Sequence, residues 1–457
     1  MKMNRKSGIL GSILIALSVG ACDDILTVSD PQAYTSADLD FALPAIANGV
    51  EGTVHEVMDN FVVYQSLLGD VYQHTGTWSG YDETDHGRFQ YGTSAMDGTH
   101  NSWLRARWFA NDAADRITRV MEGAAATDPK LAQVKMSEAM ADLMIGMTFC
   151  ESPLVASGPT ATDTQNLEQA VANFGEAIAA AKAASNSEFE LASVAGLAQA
   201  HLLLGNYASA AAEAAKIPAG FSYDAVFNEE DRNWVVLVTT KGFNEAAGLM
   251  YKWWPKIDKT TTQSSYMRDP LTDEPDPRMP VYFDGEVATD NETPHYSQYK
   301  YALENADIPM LHSDGMRLIE AEAKYRTGDY AGMTTILNTL RAAVGLTAFA
   351  TPTDDATAQS YLLNERFAEH FMEGRRRNDL HRFGLMKSVF AALNGGAVDS
   401  ERPATGRPTK FSMSDSEPTY NPNINNDLTQ RCLPKTCLLY TSPSPRDQRG
   451  SRMPSSA

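Results

Sequence analysis

Residues 364–384, NERFAEHFMEGRRRNDLHRFG, gather carboxylates, arginines and two histidines more densely than any other stretch of the chain. Such a set could move protons, with Glu or His as general acid or base. It could grip phosphate through its guanidinium groups, or it could do no chemistry and hold helices together. The spacing favours the last. Leu363, Phe367 and Phe371 recur every four residues with Ala368 and Met372 beside them, which gives one apolar helical face. Glu365, Glu369 and Glu373 form a second stripe that meets Arg376 and Arg377 one turn on. Glu placed before Arg at this spacing supports a helix by roughly 0.2–0.5 kcal/mol per pair. The expectation is an amphipathic helix with a salt-bridged flank.

Elsewhere the residues of catalysis lack their spacing. No GxSxG, Walker loop, GxGxxG or HExxH occurs. His55-Glu56 begins the last of these, but Asp59 stands where the second histidine is required. The acidic run Asp269 to Asp276 lacks the glycine turn of a calcium loop and reads as solvated. No metal or cofactor is expected, and no carboxylate pair stands out for glycoside hydrolysis. What remains is aromatic. Of six tryptophans, Trp103 and Trp108 lie on a patterned helix and are expected in the core. Trp78 and Tyr81 sit in a Gly/Ser/Thr-rich loop beside Asp82, and Trp234 follows Arg232 and Asn233. Aromatic faces match the C–H faces of sugars, and polar neighbours serve the hydroxyls. Trp78, Tyr81 and Trp234 are therefore the candidate stacking arc, with Asp70, Asp82 and Asn233 as polar partners. Trp254 with Tyr282 is the next candidate.

Helices must position these residues. Periodicity predicts them over 101–122, 131–149, 165–185, 190–217, 311–345 and 357–374. Two share a pattern: Ala198, Ala200, Gly205-Asn206-Tyr207-Ala208, and Ala321, Ala323, Gly328-Asp329-Tyr330-Ala331. Small residues let paired helices approach, the glycine turn ends the first helix, and the tyrosine fills the gap, as in a tetratricopeptide pair. Between the copies, residues 218–310 are rich in Pro, Asp, Thr and aromatics without helical period, as are residues 72–91. Long irregular loops on a rigid scaffold are where recognition is expected.

The chain has 457 residues and a formal charge of −20, with a pI near 4.9, so most of its surface repels nucleic acid. Apolar residues make up 43%, enough for a folded core. Lys2, Arg5 and Lys6 precede a short apolar stretch, Ile9 to Val19, and then Val19-Gly20-Ala21-Cys22, which resembles a bacterial lipobox. Residues 1–21 are the expected lipoprotein signal peptide and Cys22 the expected lipidation site. Asp23-Asp24 resembles the acidic export tag of surface lipoproteins. Residues 433–457 shift abruptly to Ser, Pro and Arg and resemble adapter read-through, so the natural domain is expected over 22–432. With Cys22 an anchor and Cys432 and Cys437 at or in that tail, only Cys150 is internal, and no disulfide framework is expected.

These pieces together resemble the SusD/RagB family. Arg317, Glu320, Ala321, Glu322 and Ala323 match its R-x-x-E-A-E-A helix, and Arg341 with Gly345-Leu346 match the end of the repeat that follows. Glu365, Arg366, Glu369, Glu373, Gly374, Arg376, Asp379, Leu380 and Arg382 match its charged motif. Phe411, Glu417, Asn421 and Pro422 match the closing segment, where Ser412 and Met413 replace the usual Pro-Ile, and Asn111 matches the early helix. The resemblance implies a mostly α fold, a tetratricopeptide-like scaffold of helical pairs with long ligand-binding loops. It implies a non-enzymatic lipoprotein on the outer-membrane surface that binds a nutrient oligomer, expected to be a glycan. The partner implied is a SusC-like TonB-dependent transporter. A peptide- or protein-binding tetratricopeptide scaffold and a glycoside hydrolase are the alternatives.

Overall fold

The computed structural model describes residues 36–88, 94–239, 245–257, 265–393, 402–425 and 432. The signal segment 1–21, Cys22 and the tail 433–457 lie outside them. The chain divides into two compact units, residues 1–46 and 47–457. In the first, a short helix α1 (Ser36–Leu39) is followed by the start of α2 (Leu43–Leu68).

In the second unit, α2 leads to strand β1 (Tyr72–His74) and helix α3 (Ser79–Asp85). Helices α4 (Ser94–Met121), α5 (Pro129–Thr148), α6 (Asp163–Ala183), α7 (Ser187–Leu203) and α8 (Tyr207–Ala214) then stack, each on the one before it. A two-stranded ribbon, β2 (Glu151–Pro153) with β3 (Thr160–Thr162), joins α5 to α6. Local chemistry starts these helices. Asp128 caps α5 with Pro129 at its first position, and Thr162 and Gln165 form a capping box on α6. Small residues set the spacing, since a Cβ on Gly196 would come within 2.2 Å of the Phe174 ring. Trp103 is fully buried, but Trp108 is 53% exposed, which corrects the core expectation for it. Positions five apart on a helix point roughly 140° apart, so one buried stripe does not take both.

The two tetratricopeptide-like copies are separate in sequence and adjacent in space. Helix α10 (Ser313–Arg326) packs on α8. Arg317 Nη2 donates to the carbonyls of Ala214 (2.7 Å) and Ile217 (3.2 Å), and the Arg326 guanidinium lies 4.8 Å from the centroid of the Tyr207 ring. Strands β4 (Ser222–Ala225) and β9 (Ile308–His312) pair antiparallel, Tyr223 opposite Leu311, and so close the base of the segment between the copies.

That segment is more regular than the sequence suggests. It holds α9 (Trp234–Thr239), β5 (Ala247–Leu249, antiparallel to β1) and a sheet of β6 (Ser265–Arg268), β7 (Pro275–Val287) and β8 (Pro294–Gln298). Three prolines in β7 hide its alternation from a period-2 reading. Helices α11 (Tyr330–Ala343), α12 (Asp355–Glu369), α13 (Arg376–Arg382), α14 (Met386–Ala392) and α15 (Ser416–Tyr420) follow. A disulfide joins Cys150 to Cys432, contrary to the expectation of none. The cysteine count missed it because Cys432 stands at the edge of the anomalous tail.

The charged run is structural, but not as a single helix. It stops at Glu369 and restarts at Arg376, with Met372 and Gly374 at positive φ between. A Cβ on Gly374 would lie 2.6 Å from Phe61, so this turn needs glycine. The glutamate stripe therefore does not meet Arg376 and Arg377. Glu365 accepts from Arg341 and from Arg278 (2.9 Å), and Glu373 from Lys300 (2.7 Å). Asp379 accepts from Arg366 (2.9 Å) and Arg382 (2.7 Å), and Arg382 also holds Glu322 (2.6 Å). Asp269 and Asp276, expected in a solvated loop, are fully buried against Arg341 (2.6 Å) and Arg278 (2.7 Å).

Candidate functional site

Trp78, Tyr81 and Trp234 come together from the turn before α3, from α3 itself and from the first position of α9. The Trp78 and Trp234 rings stack with centroids 5.5 Å apart and planes 22° from parallel. Trp78 also lies 5.2 Å from Tyr81, and the Tyr81 hydroxyl accepts the Trp234 indole N–H at 2.7 Å. Trp78 is 39% exposed and offers the open face; Trp234 is half-buried behind it. Tyr81 is buried, so it orients Trp234 instead of stacking on a ligand, a correction to its expected place in the arc.

Two side chains that the sequence did not single out brace this arrangement. Tyr64 on α2 meets Tyr81 edge-on at 5.3 Å. Asp59, five residues before Tyr64 on the same helix, accepts the Trp234 backbone N–H at 2.6 Å and so fixes the start of α9. Burial pushes the Asp59 carboxyl up to about 7, although hydrogen bonds from Trp234 and Asn60 oppose that shift. The one signal for Asp59 was a carboxylate inside an apolar helix.

Of the three expected polar partners, one remains at the surface. Asp82 is partly exposed beside Trp78, with its carboxylate 2.9 Å from His86 and 3.4 Å from Arg88. Asn233 is buried: its amide donates to Ala306 O at 2.8 Å and its side-chain oxygen accepts Val235 N–H at 3.0 Å. Asp70 is fully buried and takes two bonds from Arg376, at 2.9 and 3.0 Å, and a third from Lys252. Burial alone would raise its pKa, but the charges of Arg376 and Lys252 outweigh burial and hold it well below the carboxylate range. Asp70 and Asn233 are thus framework, not ligand contacts. Arg232, half exposed and paired with Glu304 at 2.8 Å, adds a polar group near Trp234.

The reserve candidate divides differently. Trp254 stacks on Tyr296 (5.0 Å), which stacks on Phe283 (4.1 Å), an internal ladder. Tyr282 instead stacks on Tyr299 (6.1 Å). Among the described residues, one group offers three metal-type ligands: His312, His370 and Glu373. His312 Nδ1 accepts the Gly315 N–H (3.2 Å), which puts the imidazole proton on Nε2 and aims it at Glu373 (3.1 Å). His370 donates to the same carboxylate oxygen at 2.7 Å, and Lys300 holds the other. This set fits a helix cap braced by hydrogen bonds better than a cation.

Residues 297–445 match the family model described as SusD family. Among curated proteins no relative matches. A SusD superfamily protein from Bacteroides thetaiotaomicron VPI-5482 shares 13% identity and a TM-score of 0.64, over 84% of this chain and 99% of that one. A SusD-like carbohydrate binding protein from Bacteroides vulgatus ATCC 8482 shares 14% and 0.57, over 84% and 97%. Surface glycan-binding protein A from Bacteroides uniformis shares 13% and 0.60, over 84% and 99%. The charged motif folds as a buried brace within the segment that matches the SusD family, residues 297–445, and the chain has the mostly helical fold of SusD superfamily structures.

Proposed function

We propose that the protein binds a neutral oligosaccharide at Trp78, backed by Trp234, and passes it to a SusC-like TonB-dependent transporter. The observation that carries this reading is the exposed Trp78 face, stacked on a second indole that Tyr81 holds in place. Asp82 and Arg232 stand nearby for sugar hydroxyls. Binding of this kind needs no catalytic group, and SusD family proteins are typically non-catalytic. The structural neighbours named for carbohydrate and surface glycan binding support the ligand class. No helix among the described residues is long and apolar enough to cross a membrane, and Cys22 as a diacylated residue would anchor the chain, since two acyl chains hold where one binds marginally.

The test is calorimetric titration of the protein with xylohexaose, maltohexaose, cellohexaose and mannohexaose beside a panel of short peptides. Saturable binding of one hexasaccharide class is expected. Binding of peptides alone would replace this reading with the peptide-scaffold alternative, and release of reducing ends would replace it with a hydrolase.

A further inference from the structure

A cleft of about 700 Å³ lies among α4, α5, α6, the loop after β2 and α15, on none of the elements that build the Trp78 arc. Its volume falls within the range of small-molecule sites. The floor is polar and fixed. Arg107 spans Asp142 (3.2 Å) and the Pro153 carbonyl (2.7 Å), while the Asn173 amide donates to Asp142 (2.7 Å) and Glu138 (3.3 Å). Gln169 donates to Leu154 O at 3.3 Å, and Asn111 to Arg107 O at 3.0 Å. In each of these three amides the nitrogen is engaged by a carbonyl or carboxylate of the protein. Their oxygens remain as acceptors, set by contacts that exist before any ligand arrives.

Aromatic faces flank that floor. Trp108 is 53% exposed and Tyr420 is 83% exposed, and both line the cleft. Asn421 ties the end of α15 to the opposite wall through Gly158 O at 2.8 Å, which steadies the Tyr420 side. Charge is balanced: Arg105 and Arg107 stand against Glu138 and Glu417. A cation meets the arginines, an anion meets the glutamates, and a purely apolar ligand would strip water from amide oxygens without replacing it. The chemistry that satisfies this lining is a neutral molecule with outward hydroxyl donors and apolar C–H faces.

We propose that this cleft is a second carbohydrate-binding site, with Trp108 as its stacking face and the amide oxygens of Asn111, Gln169 and Asn173 as hydroxyl acceptors. The inference rests on the reading of the protein as a carbohydrate binder and adds a second location. A polymer engaging both sites gains effective concentration without any new contact.

The experiment titrates the full chain and its Trp78→Ala, Trp108→Ala and doubly substituted forms with the four hexasaccharides, with circular dichroism melting as the folding control. Trp78→Ala is expected to retain a saturable binding phase that Trp108→Ala, added to it, weakens about tenfold or more. Trp108 is half exposed, so its replacement leaves folding intact; Gln169→Ala gives an independent second probe of the same phase. If Trp78→Ala alone removes all binding, the cleft is not a sugar site and the arc stands. If Trp108→Ala and Gln169→Ala leave the residual phase unchanged, the proposal also fails, and the exposed aromatics belong to a protein contact. If the parent binds no hexasaccharide, both the cleft and the carbohydrate reading fall.

Discussion

The ion-paired block around α10 to α13 and the indole pair at Trp78 are opposites in how they treat polar and apolar surface. In the block, Arg341 is fully buried with Asp269 and Glu365 on its guanidinium, and Glu322, Asp379, Arg366 and Arg382 close on one another. At Trp78 an aromatic face is left open to solvent while its partners are tied down. Density of charge marks the first region and has no bearing on ligands there, because the buried carboxylates Asp269, Glu322, Glu365 and Asp379 already have cations. A binding site is recognised by what stays unsatisfied on a rigid support.

Breaking the block gives the largest expected effect. Arg341→Ala leaves the carboxylates of Asp269 and Glu365 buried without it, and a one-sided break of this kind costs roughly 3–5 kcal/mol. Urea unfolding measures it; an unchanged midpoint would mean that the block is not a brace.

The Cys150–Cys432 bond comes next. It closes a sequence separation of 282 residues, and Cys432→Ser is expected to lower stability by about 2–4 kcal/mol. Reduction of the parent should lower its melting temperature to that of the variant; a parent indifferent to reductant would show that the bond contributes nothing.

The support of the arc is probed by Asp59→Asn, with an effect that depends on pH. The folded carboxyl titrates at about 7, above its unfolded value of about 3.9. The folded state therefore holds an extra proton between these values. The contribution is fully present below about pH 4 and is lost as pH rises through 7. Stability of the parent relative to Asp59→Asn should fall by on the order of 3 kcal/mol from pH 4 to pH 7.5. Burial lowers His370 and His381 to about 4, so they act oppositely, losing stability as pH falls, but they cancel in the difference. A pH-independent difference would remove Asp59 as the titrating support of Trp234.

Much of the helical scaffold was legible because α4 to α8 and α10 to α12 keep a helical apolar period, and α7 and α10 end in the Gly205-Asn206 and Gly328-Asp329 turns. The sheet was not, since the prolines of β7 break its alternation. Ion-pair partners were invisible in principle: Arg376 meets Asp70 across 306 positions. Trp78 and Trp234 were legible from loop composition, although they lie on different elements. Asp70 and Asn233 misled for one reason, that a polar residue near an aromatic one in sequence can turn inward when a buried cation or carbonyl needs it. Trp108 misled in the reverse direction, on a helix whose alanines already fill the buried stripe.

The contrast between brace and arc is tested most directly by titrating Trp78→Ala and Arg376→Ala side by side with the hexasaccharide that the parent binds, each with its melting curve. Trp78→Ala should melt like the parent and bind more weakly by about 1–3 kcal/mol, by analogy with base stacking on aromatics. Arg376→Ala leaves Asp70 buried with Lys252 alone; it should melt markedly lower, and its folded fraction should bind like the parent. Arg376→Ala that melts like the parent yet does not bind, or Trp78→Ala that binds undiminished, would contradict the account.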